Sequence, residues 1–211
     1  DIKASGGYSG VGILLSGQGS WYGSNNMVYN NMVYDIQSTS TQAYSRVAGI
    51  QMWDQNNPKI HYNTVYLSGN VNGTNPYGSA ALYIWGNCTN VEAKNNILVN
   101  TRNEVPYIAC CINVENAAIL TSDYNDLYYE PSTYNCLVRV GMTKYNTLAS
   151  WQATGKDLNS ITEMPFFSSA DLHLDWYNYT LIDGHAIPIT GITTDLDGDT
   201  RNTTTPDIGA D

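Results

Sequence analysis

Apolar and polar positions alternate in short runs from Val11 to Val140, and the runs repeat. Val11-Gly12-Ile13-Leu14-Leu15, Ala48-Gly49-Ile50-Gln51-Met52, Ala80-Ala81-Leu82-Tyr83-Ile84, Cys110-Cys111-Ile112-Asn113-Val114 and Cys136-Leu137-Val138-Arg139-Val140 all read in-out-in-out-in. That period of two marks a strand with one buried face. A second pattern recurs in phase with it: Asn31-Met32-Val33-Tyr34, Asn63-Thr64-Val65-Tyr66, Asn96-Ile97-Leu98-Val99 and Asn125-Asp126-Leu127-Tyr128. Repetition at about 30 residues, with no helical period between the runs, is the signature of a strand-built solenoid. The expected fold is therefore all-β: a right-handed, single-stranded parallel β-helix of about five rungs over residues 1–144. The handedness follows from the strong bias of parallel crossovers.

The repeated asparagines suit bends between strands, because Asn tolerates left-handed backbone, and their stacked amides are placed to form a hydrogen-bonded ladder. Asn31, Asn63, Asn96 and Asn125 are accordingly read as structural. Cys110 and Cys136 share the inward position of Val11, Ala48 and Ala80, so their sulfurs are expected to be neighbours, oxidised or as stacked free thiols. Cys111 is expected to point outward and Cys88 to lie in a turn. The three histidines (His61, His173, His185) are far apart, and no Cys or His pair has zinc-site spacing.

Near Tyr145 the pattern changes. Thr147 to Ala153 reads as a short helix, with Leu148 and Trp151 on one face and Gly155 ending it. Laid over the last rung, it would cover an open sheet edge. Residues 145–211 are thus a C-terminal capping region, with short strands expected near Phe166 and His173. The polar loops 37–46, 68–79 and 100–107 vary in length, as loops that carry binding surfaces do.

Charge narrows the partners. The net charge is −10, and the nine Lys and Arg are scattered singly, which argues against nucleic acid. No apolar run reaches the length of a membrane span. The chain starts at Asp1 and falls straight into a rung at Ser9 to Ile13, which reads as part of a larger polypeptide.

Two motifs in the last third carry a resemblance. Thr147-Leu148-Ala149-Ser150-Trp151-Gln152-Ala153-Thr154-Gly155-Lys156-Asp157 is similar to a segment of secreted bacterial right-handed β-helix proteins. Asp195-x-Asp197-Gly198 with Arg201 and Pro206-Asp207-Ile208-Gly209-Ala210 resembles the closing motif of the "choice-of-anchor" β-helix proteins. The resemblance implies a secreted or cell-surface protein, and at fold level it extends to β-helix polysaccharide lyases.

Candidate chemistry lies on the outward faces of the first repeat. Gln51, Tyr83, Asn113 and Arg139 form one outward column, and Trp53, Trp85 and Glu115 the next. Aromatic faces flanked by hydrogen-bonding groups suit the apolar faces and hydroxyls of a polysaccharide or cell-surface glycan. The bland alternative is that loops fold over Trp53 and Trp85 and bury them. Catalysis is less well served: Glu115 and Asp54 lie two rungs apart, about 10 Å from rung spacing alone, long even for an inverting glycosidase. A lyase would need more basic residues than Arg139. Asp195, Asp197 and Asp199 alternate as calcium ligands do, yet Gly198 and Pro206 break the EF-hand pattern, so a structural closing loop competes with a Ca2+ site. Asn72, Asn87, Asn178 and Asn202 head glycosylation-type triplets, idle in a bacterial protein. The function expected is a non-catalytic surface module that binds glycan or another surface ligand. The C-terminal part of a polysaccharide lyase or glycoside hydrolase, and a ligand-free stalk, are the alternatives.

Overall fold

The computed structural model describes residues 2–4 (backbone only), 9–17, 23–40, 45–69, 78–103, 105–168, 171–175 and 177–211. Asn72 and the middle parts of loops 37–46 and 68–79 lie outside the described residues.

The chain is mostly β, and three sheets of parallel strands organise it. Sheet A holds Gly10–Ser16, Val47–Trp53, Ser79–Trp85, Ala109–Val114 and Cys136–Val140, with Thr143–Tyr145 added antiparallel at its last edge. Sheet B holds Met27–Tyr29, Lys59–His61, Val91–Lys94 and Leu120–Asp123. Sheet C holds Met32–Tyr34, Thr64–Leu67, Ile97–Asn100 and Asp126–Tyr129. The chain therefore visits A, B and C in rotation and returns to pair with the strand it laid down one circuit earlier. Among the described residues no helix is long and apolar enough to cross a membrane.

The main core lies between the sheets. Ile50, Met52, Leu82, Ile84, Ile112 and Val114 from sheet A meet Ile60, Val91 and Ala93 from B and Val65, Leu98 and Leu127 from C, all buried. Sheet A does not alternate strictly, however. Each of its strands carries a bend at which two consecutive residues face inward: Ala81 with Leu82, Cys111 with Ile112, Leu137 with Val138. The extra inward residue falls between register partners, as in Ala80↔Cys110 and Leu82↔Ile112. Its column runs Gly12, Gly49, Ala81, Cys111, Leu137. Glycine begins the column for want of room, since a Cβ on Gly49 would lie 2.2 Å from Val65 Cγ1.

This bend overturns the expected facing of the cysteines. Cys111 points into the core, whereas Cys110 and Cys136 face outward with Ala48, Ala80 and Tyr83 in a separate buried cluster. They are register neighbours, and all four cysteines are free thiols. A one-residue slip in the inward column exchanges the two faces of a strand.

The asparagine ladder occupies the corner between sheets B and C. Asn31 Nδ2 donates to Asn63 Oδ1 at 2.9 Å, Asn63 Nδ2 to Asn96 Oδ1 at 2.9 Å, and Asn96 Nδ2 to Asn125 Oδ1 at 3.0 Å. The backbone N–H of Asn63 and of Asn96 donates to the Oδ1 of the next asparagine at 3.0 and 2.9 Å. The left-handed residue at this corner is the one before each ladder asparagine: Asn30, Tyr62, Asn95 and Tyr124, with φ of 53, 52, 60 and 57°. The ladder amides themselves sit on the other side of that bend, aimed along the stack.

The ladder ends on Asp157. Asn125 Nδ2 donates to Asp157 Oδ1 at 3.0 Å, and the same carboxylate accepts Ser160 Oγ–H at 2.6 Å and the Trp151 indole N–H at 2.6 Å. A carboxylate accepts only, so every amide upstream can point its nitrogen toward it. The short helix Leu148–Gln152 carries Trp151 into the main core and is opened by a capping box of Thr147 and Ser150. The chain then takes the place of a further circuit: Asp157 N–H bonds Ser122 O at 2.8 Å, and Ile161 exchanges hydrogen bonds with Asn125 O and Leu127 N–H.

Residues 182–210 do not stack on that end. Ile182, Ala186, Ile192 and Ile208 pack with Tyr62, Ile97 and Val99, along the outer face of sheet C. Gly209 makes this closeness possible: at φ 102° its absent Cβ would sit 2.6 Å from Ile97 Cδ1.

Candidate functional site

The outward face of sheet A brings the predicted strip together in register. Gln51 pairs with Tyr83, Tyr83 with Asn113, Asn113 with Arg139, and Trp53 with Trp85. Glu115 lies one residue beyond its strand and is exposed. Burial differs sharply along the strip. Tyr83 is 1% exposed, Gln51 5% and Asn113 6%, whereas Trp53 is 39% exposed and Trp85 half-buried.

Arg46 accounts for part of that difference, and sequence reasoning missed it. It lies just ahead of strand Val47–Trp53 and is buried. Its guanidinium sits 4.9 Å from the Tyr83 ring centroid and 5.4 Å from that of Trp85. The rings themselves are tilted, with centroids 6.0 Å apart. A cation over a desolvated aromatic face contributes about 2 kcal/mol, and it occupies a face that a sugar would otherwise use. Only its place at the foot of the strand could have flagged it.

The remaining groups of the strip are held as follows. Arg139 Nε donates to Gly141 O at 2.8 Å. Gln51 Oε1 is buried and accepts no hydrogen bond among the described residues. Asp54, considered as a carboxylate partner for Glu115, has φ 52° and accepts the Asn87 N–H at 2.8 Å and Nδ2 at 3.2 Å. It serves as a turn anchor. On the same face, in the cluster with Tyr83, the hydrogen bond with Cys136 and then burial push the Cys110 thiol up, and the same bond draws Cys136 down with help from Lys144 and Arg139.

A second set of polar groups lies in the C-terminal segment. Asp195 Oδ1 accepts the backbone N–H of Asp197 at 3.0 Å and of Asp199 at 2.9 Å, so it closes its own turn. Arg201 leaves that turn: it lies 4.1 Å over the Tyr62 ring and donates from Nη2 to Asn30 Oδ1 at 3.1 Å and Gly209 O at 3.0 Å. Of the three aspartates, Asp197 faces another group. His173 Nδ1 lies 3.5 Å from Asp197 Oδ2 and 3.1 Å from Asp211 Oδ1. The Asp211 hydrogen bond, with Asp197 and Asp171 nearby, raises the His173 pKa above its ordinary value. Beside this group is a cavity of about 700 Å³ lined by His173, Asp211, Asp175, Asp183, Asp195 and Asp207 among others. Spacing along the sequence gave no sign that His173 and Asp211 would meet.

Comparison of the chain with protein-family models, with curated proteins and with solved structures returned no match in any of the three.

Proposed function

We propose that the chain is a right-handed parallel β-helix and that it works as an extracellular or cell-surface module of a larger secreted bacterial protein, binding a glycan along the outer face of sheet A. The rotation of the chain through three parallel sheets supports the solenoid reading, and the handedness is the one parallel crossovers adopt. The resemblance of the closing segment to the choice-of-anchor proteins supports the surface location.

The observation that carries the binding reading is Trp53. Its indole is 39% exposed on the outward face of a strand, in register with Trp85, and gives a rigid aromatic surface with a polar N–H for a sugar ring to pack on. Exposed Glu115 and half-buried Arg139 lie in the circuits that follow and supply polar partners for hydroxyls. Glycan-array screening at neutral pH tests it. A specific hit should weaken at least tenfold in Trp53→Ala, with the circular dichroism spectrum unchanged. Affinity equal to the parent chain in that variant would remove the strip from consideration.

A second reading, a ligand-free stalk, draws on Arg46, which covers the rings of Tyr83 and Trp85 and leaves Trp53 as the freest of the three. A silent array with a well-folded chain favours it.

A further inference from the structure

His173, Asp197 and Asp211 come from three separate stretches of the C-terminal segment, and their ligand atoms all lie within 4.8 Å of one another. Each is positioned by further contacts. Asp211 Oδ2 accepts the Leu174 N–H at 2.8 Å, which leaves Oδ1 toward the imidazole. The turn bearing Asp197 is fixed by the two N–H bonds to Asp195 Oδ1. His173 Nε2, on the far edge of the ring, is 3.8 Å from Asp171 Oδ2, beyond hydrogen-bond reach. Nδ1 is therefore the nitrogen that the carboxylates hold, and an ion there would take the place of the proton it donates to Asp211.

The distances suit a small divalent ion. Two ligand atoms bound at about 2.0–2.2 Å in a tetrahedral site are roughly 3.3–3.6 Å apart. Of the two Nδ1–carboxylate separations, 3.5 Å falls within that range and 3.1 Å just below it. A proton on Nδ1 can be shared with one carboxylate at a time, whereas an ion seated between the three satisfies both. The donor set is one imidazole nitrogen and two carboxylate oxygens, which suits zinc or manganese. Calcium prefers six to eight oxygens. His173 and Asp211 also line the 700 Å³ cavity, so a fourth position would open toward solvent or a ligand oxygen.

We propose that His173, Asp197 and Asp211 form a three-ligand site for a borderline divalent cation, Zn2+ or Mn2+, with an open coordination position facing the cavity. This site differs from the Asp195, Asp197, Asp199 calcium set in ligands and in ion, and it does not depend on the glycan strip.

The test is titration of the chelator-stripped chain with ZnCl2, MnCl2 and CaCl2 by calorimetry, with the imidazole 15N signals followed by NMR. Saturable binding of one equivalent of Zn2+ or Mn2+ is expected, with the His173 ring signals shifted and those of His61 and His185 unmoved. Asp197→Asn and His173→Ala should each weaken binding at least tenfold. The Asp197 side chain is 52% exposed, so that variant keeps the fold and decides the matter if His173→Ala does not. Absence of saturable binding overturns the proposal. So does binding that survives Asp197→Asn, or Ca2+ binding as tightly as Zn2+.

Discussion

Cutting the asparagine ladder in its middle should cost far more than cutting its first member. Asn96 is fully buried: its Oδ1 receives both the backbone N–H and the Nδ2 of Asn63, while its Nδ2 donates to Ile60 O, Lys94 O and Asn125 Oδ1. Replacement by Ala leaves the Asn63 N–H without an acceptor inside the protein. An orphaned buried donor costs about 1–3 kcal/mol, and each further lost bond about 1 kcal/mol net. Asn96→Ala is therefore expected to destabilise by about 4 kcal/mol. Asn31 is only half-buried, donates to Tyr29 O and Asn63 Oδ1, and lies where water can take its place, so Asn31→Ala should cost about 1 kcal/mol. Asn96→Asp sharpens the reasoning. It keeps the shape but turns a carboxylate oxygen toward three carbonyl oxygens, and it should be worse than Ala. Urea unfolding followed by tryptophan fluorescence and by circular dichroism gives the three midpoints, and coincidence of the two probes checks that the transition is cooperative. Equal midpoints for Asn96→Ala and Asn31→Ala, or an Asp variant as stable as the parent, would refute the account of the ladder.

Further outcomes follow from other columns. Gly49→Ala should destabilise by about 1–3 kcal/mol, because the added methyl meets Val65 Cγ1 at 2.2 Å and Ala81 O at 2.8 Å. A midpoint equal to the parent would show that the core has slack there. His61 is buried, with Nε2 2.9 Å from Glu92 Oε1 and Lys59 and Lys94 nearby; burial outweighs the carboxylate and lowers its pKa below 6.5. The unfolded chain then takes up the proton first as pH falls. Stability should be full above pH 6.5 and decline below it. His61→Gln should flatten that slope in urea titrations between pH 7 and 5, and an unchanged slope would assign it elsewhere. Asp157→Asn should cost about 2–4 kcal/mol, since an amide cannot accept from Asn125, Ser160 and Trp151 together. Thermal melts of that variant check it.

The repeat of Asn31, Asn63, Asn96 and Asn125, and the aliphatic runs in phase with it, were legible in the sequence alone. A ladder needs the same residue type at each circuit, and a buried strand face needs a period of two, so both leave marks in a linear pattern. The amide-to-amide bonds appear where the spacing placed them. What the linear pattern hid is whatever depends on a local break in the period. The bend in sheet A put Cys110 and Cys136 outside and Cys111 inside, and a period of two cannot register one extra inward residue. The left-handed residue was likewise displaced by one, to Asn30, Tyr62, Asn95 and Tyr124.

The sites divide in the same way. Gln51, Tyr83, Asn113 and Arg139, with Trp53 beside Trp85, could be aligned from the sequence because register in a repeat is translational. Their exposure could not, because it depends on side chains such as Arg46, whose place just ahead of the strand holds Ser9, Gly78 or Ile108 in other circuits. The meeting of His173, Asp197 and Asp211 follows no period at all. It depends on residues 182–210 lying along sheet C, held by Gly209 against Ile97 and by Arg201 against Tyr62. Periodic local interactions are written in the sequence and determined the strands and the ladder. Aperiodic contacts between distant segments are set by packing, and only the tertiary structure decided them.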